Sequence, residues 1–344
     1  MPIVAALDTV LYALELIGDM TMTCKFLVTR RIPQAGLDCL QSAGEIILPA
    51  QDRNLQASEL LALGKNADGW LTMLTDSIDA DMIQACPKLR GIANYAVGFN
   101  NIDISACTEH NIGVTNTPDV LTDATAEIAF ALILSTARRV VEADGFLRTG
   151  QWTGWAPLQF LGTNICGQTL GIVGAGRIGT RVAEMAAGFR MRILYTARNR
   201  KPALERSTGA VFATPEELLR QADYVSLHAP LTAETRHFIT AEQLRLMKPN
   251  AILINTARGP LIDEQALLQA LKEKRLRAAG LDVFENEPNI TPGLMELKNV
   301  VLLPHIGSGT EATRERMAVM AAENLIAMVQ GRRPANPVNP EVWD

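Results

Sequence analysis

Two parts of the chain alternate short apolar runs with segments of helical spacing. From Cys24 to about residue 117 the apolar runs are KFLVTR, EIILP, GWLTML, GIANYA and GVTNT, and about six further runs follow from Thr169 to residue 305. Strands that alternate with helices are typical of parallel α/β sheets. The pattern therefore predicts an α/β protein with two Rossmann-like, doubly wound parallel-sheet domains, of which the first is flavodoxin-like.

Two long helices are also predicted, one between the two groups of apolar runs and one after the second group. A continuous apolar helix runs from about Asp123 to Gly150, which suits a buried helix that crosses between domains, and an amphipathic helix runs from Thr310 to Gly331. Because the last helix follows the last strand, it can return to the first domain. We therefore expect an N-terminal extension (1–23), a discontinuous substrate-binding domain (24–121 and 310–336) and a dinucleotide-binding domain (122–309).

Composition and charge argue against several classes of protein. The 344 residues carry 32 basic and 37 acidic side chains, a net charge of −5, which indicates neither a nucleic-acid surface nor a membrane surface. The five cysteines have no metal-ligand spacing, so we expect reduced thiols, a cytoplasmic protein and no metal site. Residues 1–23 fit a short amphipathic extension, or a leader before a start at Met20 or Met22, better than a signal peptide or a membrane span.

The stretch TLGIVGAGRIGTRVAEMAAGF, residues 169–189, predicts a strand, a tight turn and a helix. Gly174 lets the chain reverse, Gly176 leaves room for a pyrophosphate beside the backbone, and Gly179 lets helix and strand pack closely. The free N–H groups and the positive dipole of the new helix then face the phosphates. Because the motif follows a buried strand and opens an amphipathic helix, we interpret it as a dinucleotide site.

The turn after the next strand bears on which dinucleotide binds. Sites for NAD place Asp or Glu about 20 residues beyond the glycines, where the carboxylate accepts hydrogen bonds from the ribose. Here Ala197 occupies that place, and Arg198, Arg200 and Lys201 follow. These cations can pair with a 2′-phosphate, which favours NADP(H), with NAD(H) as the second candidate. The alternative is a solvated basic turn.

Three polar side chains follow successive strands downstream of the glycine loop. Arg258 ends the run AILINTAR, Glu287 lies just past GLDVF, and His305 ends NVVLLP. Taken singly, they fit a surface ion pair, one more surface acid and a hydrogen-bonded histidine. Together they supply what hydride transfer to a carbonyl needs, since a guanidinium can hold a carboxylate and a histidine beside a carboxylate can donate a proton. We therefore predict that the three converge beside the nicotinamide.

Several motifs together resemble the D-isomer-specific 2-hydroxyacid dehydrogenase family, over nearly all of residues 24–331. They are NYAVGFNNID (94–103), NTPDVLTDATAEIAFALIL (116–134), the GAGRIG loop, HAPLTAET (228–235), NTARGPLIDE (255–264), GLDVFENEP (280–288) and LLPHIGSGT (302–310). Within the family, the chain is most similar to the glyoxylate/hydroxypyruvate reductase branch. Ala197 departs from the family's ribose-binding acid, which agrees with the preference for NADP(H).

The resemblance implies a role for each matching residue. The catalytic arginine, glutamate and histidine match Arg258, Glu287 (rather than Glu285) and His305. Substrate binding is implied for Leu74, for the backbone amides around Val97 and Gly98, and for Arg258. The predicted cofactor contacts include the glycine loop and the basic turn. They are Thr125, Gly174, Gly176, Arg177, Ile178, Gly179, Arg198, Arg200, Ala229, Pro230, Thr235, Thr256, Asp282 and Gly307. Arg177 and Ile178 would touch the pyrophosphate, and Asp282 the nicotinamide amide.

The function expected from the resemblance is reduction of glyoxylate or hydroxypyruvate by NADPH, in a homodimer in which the loop around Trp155 reaches toward the partner. The expected ligands are a short 2-oxo or 2-hydroxy acid and the cofactor. One alternative is a dehydrogenase for a bulkier D-2-hydroxy acid, since Leu74, Phe99 and Trp155 could narrow the pocket. The other is a dinucleotide-sensing, corepressor-like protein without activity, which would need a peptide-docking surface that no added segment supplies.

Overall fold

A computed structural model describes residues 24–344, and the predicted extension of residues 1–23 lies outside the described residues. The chain divides into two compact units, one formed by the described residues up to Pro118 with Arg314–Asp344, the other by Asp119–Thr313. The predicted boundaries lie after residues 121 and 309, whereas the structure places them after Pro118 and Thr313. The first unit also keeps the chain beyond residue 336, which includes a short 3-10 turn at Pro340–Trp343.

The first unit contains a five-stranded parallel sheet of order β2-β1-β3-β4-β5. Its strands are β1 (Cys24–Val28), β2 (Gly44–Ile47), β3 (Gly69–Thr72), β4 (Gly91–Asn94) and β5 (Gly113–Thr115). The connecting helices are α1 (Gln34–Gln41), α2 (Ala57–Gly64), α3 (Ala80–Gln84) and α4 (Ile104–Glu109), and most of α12 (Glu311–Val329) belongs to this unit. The strand order is that of flavodoxin-like sheets, as predicted.

The second unit contains a seven-stranded parallel sheet of order β12-β11-β10-β9-β6-β7-β8. Its strands are β6 (Thr169–Val173), β7 (Arg192–Thr196), β8 (Val211–Phe212), β9 (Tyr224–Leu227), β10 (Ile252–Asn255), β11 (Ala278–Leu281) and β12 (Val300–Leu302). Its helices are α5 (Thr122–Ala137), α6 (Val140–Arg148), α7 (Arg177–Gly188), α8 (Pro202–Thr208), α9 (Pro215–Gln221), α10 (Ala241–Leu246) and α11 (Glu264–Lys272). The strand order reverses between β6 and β9, which is where doubly wound sheets bind their ligands. The predicted fold class is confirmed.

Two details of the second unit differ from the prediction. The single helix expected from Asp123 to Gly150 is two helices, α5 and α6, because Arg139 adopts a left-handed conformation with φ of 53°. Its guanidinium pairs with Glu142 at 2.8 Å and lies over the ring of Phe160. The edge strand β8 was not predicted; it is only two residues long, and both residues are exposed. None of the helices within residues 24–344 is long and apolar enough to cross a membrane.

Candidate active site

The glycine loop between β6 and α7 leaves an open space beside the backbone at the start of the helix. Gly174 has a φ of 95°, and a Cβ atom there would lie 2.5 Å from the amide nitrogen of Ala229. A Cβ atom on Gly179 would overlap the carbonyl oxygen of Gly174. No atom lies within 4 Å of the place where a side chain of Gly176 would begin. The loop therefore packs tightly against β9 and the helix, but stays open where a pyrophosphate would approach.

The ends of the neighbouring strands supply polar groups that fit a bound dinucleotide. The hydroxyl group of Thr256, just past β10, is buried and has no hydrogen-bond partner within residues 24–344. Thr125, Asp282 and Gly307 lie together: the Gly307 amide donates to Asp282 Oδ2 at 2.7 Å, and a Cβ atom on Gly307 would lie 3.4 Å from Thr125 Cγ2. Because a buried unpaired hydroxyl is costly, Thr256 fits a site completed by a polar ligand.

In the basic turn after β7, one of the two predicted cofactor-binding arginines already pairs with a carboxylate of the chain. Arg198 is exposed, but Arg200 forms two hydrogen bonds with Glu205, at 3.0 and 2.9 Å, and the Tyr195 hydroxyl donates to the same carboxylate at 2.6 Å. The bonds from Arg200 and Tyr195 hold the pKa of Glu205 below its ordinary value. Arg200 stays 67% exposed, so the edge of its guanidinium that faces away from Glu205 can still meet an anion.

His305 and Glu287 form a close pair. Glu287 Oε2 lies 2.9 Å from His305 Nδ1, and the side chains are 28% and 27% exposed, respectively. The amide of Phe284 donates to the other oxygen of Glu287 at 2.9 Å. Burial alone would raise the pKa of Glu287, but the hydrogen bonds and the charges of His305 and Arg258 lower it below its ordinary value. No group of the described chain hydrogen-bonds to His305 Nε2, so that nitrogen is able to donate to a ligand.

Arg258 lies at the end of β10, and its charge acts on Glu287. Its Nη1 donates to the carbonyl of Ala257 at 2.7 Å, and Asn255 Nδ2 donates to the carbonyl of Arg258 at 2.9 Å. Burial lowers the pKa of Arg258 and Glu287 opposes that shift, although an arginine keeps its proton in any case. The structure therefore brings the three predicted side chains into one electrostatic cluster.

Asp282 holds the backbone that follows His305. Its two carboxylate oxygens accept the amides of Ile306 and Gly307, each at 2.7 Å. Burial raises the pKa of Asp282 above its ordinary value, while these amides and the charge of His305 oppose the rise. The cofactor role of Asp282 stays a prediction. The structure shows that its carboxylate also joins the loops that follow β11 and β12.

In the first unit, a loop after β4 presents two free backbone amides. Asn116 Nδ2 donates to the carbonyl of Val97 at 2.7 Å, and Asn94 Nδ2 donates to the carbonyl of Gly98 at 2.8 Å. The N–H groups of Val97 and Gly98 donate to no acceptor within residues 24–344. Neighbouring free amides form concavities that bind anions. Leu74, which follows β3, is half-buried.

The other predicted cofactor residues lie in the first turn of α7 and on the loop after β9. Arg177 is exposed and pairs with Asp119 at 2.5 Å, and Ile178 is half-buried against the core of the unit. Thr235 Oγ1 donates to the carbonyl of Pro230 at 2.6 Å. Their contacts with a cofactor stay predictions.

Comparison with known proteins identifies the family. The family model described as "D-isomer specific 2-hydroxyacid dehydrogenase, NAD binding domain" matches residues 130–307, which is more than half of the chain. The chain belongs to the D-isomer-specific 2-hydroxyacid dehydrogenases. It is therefore an NAD(P)-dependent oxidoreductase, and the resemblance inferred from its motifs is confirmed.

Its similar relatives within the family include glyoxylate reductases. Those of Thermococcus litoralis and Pyrococcus horikoshii are each 50% identical over 325 residues, which cover 93% of this chain and 98% and 97% of theirs. A solved structure from Thermus thermophilus has a TM-score of 0.85 and 46% identity, covering 91% of this chain and 99% of that one. The NADPH-dependent glyoxylate/hydroxypyruvate reductase of Sinorhizobium meliloti, solved with NADP and malonate, has a TM-score of 0.83 and 32% identity, covering 92% and 97%.

Within each unit of this dehydrogenase, some side chains form contacts that could not be predicted from the sequence. Asn94 and Asn116 lie in the quoted motifs, but only the structure shows that they bond to the carbonyls of Gly98 and Val97. The resemblance matches the catalytic glutamate to Glu287 rather than to Glu285. In the structure, Glu285 pairs with His237 at 2.5 Å. The bonds of Asn116 and Glu285 join residues that are distant in sequence, and no local pattern reveals them.

Proposed function

We propose that this dehydrogenase reduces glyoxylate or hydroxypyruvate with NADPH to the corresponding 2-hydroxy acid, which for hydroxypyruvate is the D-isomer. The observation that carries the proposal is the pairing of His305 with Glu287 beside Arg258, at the ends of three adjacent strands. The glyoxylate reductases that are 50% identical over almost the whole chain support the choice of substrate.

In this proposal each of the three side chains has one task. Arg258 holds the carboxylate of the 2-oxo acid with its rigid fork of donors and polarises the neighbouring carbonyl. His305 donates a proton from Nε2 to the carbonyl oxygen, and Glu287 at Nδ1 fixes the ring and stabilises its protonated form. When bound, NADPH supplies the hydride for the keto carbon.

The amides of Val97 and Gly98 are proposed to bind a carboxylate of the substrate. Both N–H groups lack an acceptor in the described chain, and both carbonyls are fixed by asparagine side chains. Because each peptide bond is planar, the bond from Asn116 to the carbonyl of Val97 also fixes the N–H of Gly98. The bond from the amide of Thr117 to the carbonyl of Ala96, at 2.9 Å, fixes the N–H of Val97 in the same way. The pair is therefore preorganised for an anion, which lowers the cost of binding.

The preference for NADPH is proposed from the basic turn. Ala197 provides no carboxylate for a ribose, and Arg198 and Arg200 both keep an exposed face. Arg198→Gln should lower kcat/KM for NADPH about tenfold and leave that for NADH within about twofold, since charge-assisted bonds to phosphate are about 1.5–3 kcal/mol each. Arg220→Gln, an exposed arginine on α9, is the matched control. A wild-type enzyme that favours NADH tenfold would refute this preference.

A homodimer is proposed from a dense run of exposed apolar side chains. Between the start of α6 and residue 161 the exposed apolar residues are Val140, Val141, Leu147, Trp152, Trp155, Leu158 and Leu161. Trp155 is 83% exposed, and large exposed apolar surface marks protein contacts. Light scattering should give twice the chain mass of 37.4 kDa, and a monomer at micromolar concentration would contradict the proposal.

The cytoplasmic location stays a prediction.

The decisive experiment is a substrate panel of glyoxylate, hydroxypyruvate, pyruvate and phenylpyruvate with NADPH, for the wild type and His305→Ala. We expect the highest kcat/KM with glyoxylate or hydroxypyruvate, and a loss of at least tenfold in His305→Ala, because a general acid typically contributes about 10²–10⁴-fold. A preference for phenylpyruvate would favour an enzyme for a bulkier acid. Tight NADPH binding without reduction of any acid would favour a sensor. Full activity of His305→Ala would exclude this proton donor.

A further inference from the structure

A second charged cluster joins the three loops that follow β9, β10 and β11. Its members are His237, Glu264, Glu285 and Thr291. None of them has a role predicted from the sequence, and the proposed chemistry does not use them. Two of the three loops carry Arg258 and Glu287, so the cluster lies in the backbone that presents these side chains.

Glu285 is the centre of this cluster. Its Oε1 lies 2.5 Å from His237 Nε2, and its Oε2 accepts the backbone amide of Glu264 at 3.2 Å. In return, the backbone amide of Glu285 donates to Glu264 Oε1 at 2.6 Å. Glu264 and Glu285 therefore exchange amide–carboxylate bonds, a pairing that fixes the two backbones against each other.

The partners of Glu285 are themselves anchored. Glu264, the first residue of α11, is 2% exposed and accepts the hydroxyl of Thr291 at 2.6 Å. The amide of His237 donates to the carbonyl of Pro260 at 2.7 Å. Because buried carboxylates are costly unless hydrogen-bonded, the cluster is held by a full set of donors rather than by one contact.

The peptide between Phe284 and Glu285 connects this cluster to both Arg258 and Glu287. Gly259 directly follows Arg258, and it packs so closely on this peptide that a Cβ atom there would overlap it. The amide of Phe284 donates to Glu287 Oε1 at 2.9 Å. A shift of this peptide would therefore move Glu287 and the backbone beside Arg258 together.

We propose that Glu285, held by His237 and Glu264, is a positioning residue that sets the places of Glu287 and Arg258. The inference rests on the proposed function, because it concerns how the same three side chains act. Glu285 touches neither substrate nor cofactor in this account. Its effect is geometric, and misplacement of a reacting group by 1 Å can cost about 10²-fold in rate.

The test compares Glu285→Ala and Glu285→Gln with Glu296→Gln, a matched loss of an exposed glutamate in the same unit. We expect Glu285→Ala to lower kcat/KM for glyoxylate at least tenfold, while the Kd for NADPH stays within about twofold. Glu285→Gln keeps the volume and one acceptor, so it should fold as the wild type and show an intermediate rate. His237→Gln, which keeps a donor for Glu285, should restore most of the rate lost in His237→Ala.

A second measurement does not depend on turnover. The chain has four histidines, so NMR with labelled imidazole rings can follow His305, assigned with His305→Ala. The charged groups that act around His305 are Glu287 and Asp282, with Arg258 acting on Glu287. If Glu285→Ala displaces Glu287, the chemical shifts of the His305 ring at a fixed pH should change, since Glu287 Oε2 lies 2.9 Å from Nδ1 of that ring. Glu296→Gln should leave these chemical shifts unchanged.

Three results would overturn the inference. One is a rate and His305 ring chemical shifts in Glu285→Ala equal to those of Glu296→Gln. Another is a parallel loss of NADPH binding, rate and thermal stability in both Glu285 variants, which would indicate a role in folding alone. The third is a set of unchanged ring chemical shifts despite a lower rate. A wild type that reduces no 2-oxo acid would refute the proposed function instead, and the ring chemical shifts would still decide the positioning role.

Discussion

Replacing Glu287 by Gln tests the central pair of the site with little change in shape. Gln keeps an oxygen for the amide of Phe284, but it removes the charge that lies 2.9 Å from His305 Nδ1. A hydrogen bond to a charged group contributes about 1.5–3 kcal/mol. Since both side chains are more than a quarter exposed, solvent screening reduces the figure to the lower end of that range. The protonated ring then loses about 1.4 kcal/mol, which is tenfold in population.

The expected result is a loss of rate with little change in cofactor binding. At neutral pH, kcat/KM for glyoxylate should fall about tenfold in Glu287→Gln, while the Kd for NADPH stays within about twofold. Because the pKa of Glu287 lies below its ordinary value, the wild-type carboxylate is charged at this pH. Stopped-flow measurement of NADPH absorbance gives both rates, with Glu296→Gln as the control. A rate in Glu287→Gln equal to that in Glu296→Gln would refute the reasoning.

Three further predictions concern packing, pH and the substrate loop. Gly179→Ala should lower the Tm by several degrees, because overpacking costs about 1–3 kcal/mol, whereas Gly188→Ala, with nothing within 4 Å, should leave it unchanged or raise it. Burial lowers the pKa of His228 to about 4; because the unfolded value is about 6.5, the wild type should lose stability as the pH falls from there toward 4, by at most about 3 kcal/mol relative to His228→Asn. Asn116→Ala removes the donor to Val97, so the KM for glyoxylate should rise about threefold to tenfold with the Kd for NADPH unchanged.

Each of these has a clear contrary result. Equal melting temperatures for Gly179→Ala and Gly188→Ala would show that the helix can move away from the carbonyl of Gly174. Urea unfolding free energies of the wild type and His228→Asn that stay parallel from about pH 7 to about pH 4 would contradict the buried neutral histidine. A change of kcat alone in Asn116→Ala would separate Val97 from substrate binding.

Most of the fold could be predicted because its signals are local. Helices α9 and α10 begin at capping boxes, at Thr214 and Thr240, in which the N-cap residue and its partner lie three residues apart in sequence. Buried strands such as β6 and β10 are continuous apolar runs. The break at Arg139 was missed because it depends on a left-handed arginine, for which an apolar pattern carries no signal.

The identity of the central site residues could be predicted, but the hydrogen bonds that surround them could not. Arg258, Glu287 and His305 could be named because each follows a strand, and parallel strands end at one edge of the sheet. The bonds between Arg200 and Glu205, and between His237 and Glu285, depend on how loops fold back. In the second pair the partners are 48 residues apart, so only tertiary structure reveals why one glutamate of the motif GLDVFENEP faces His305 and the other does not.

The charges of the three central side chains also suit the binding of an acid. With His305 protonated, Arg258, Glu287 and His305 together carry one positive charge, which matches the single negative charge of a 2-oxo acid. After His305 gives up its proton the three side chains are neutral, but loss of a hydride gives the nicotinamide ring a positive charge, so the positive charge moves from the imidazole to the cofactor and stays beside the carboxylate of the product. Glu287 therefore has two effects that cannot be separated: it stabilises the charged form of His305 for proton transfer, and it sets the net charge of the three side chains to match one carboxylate.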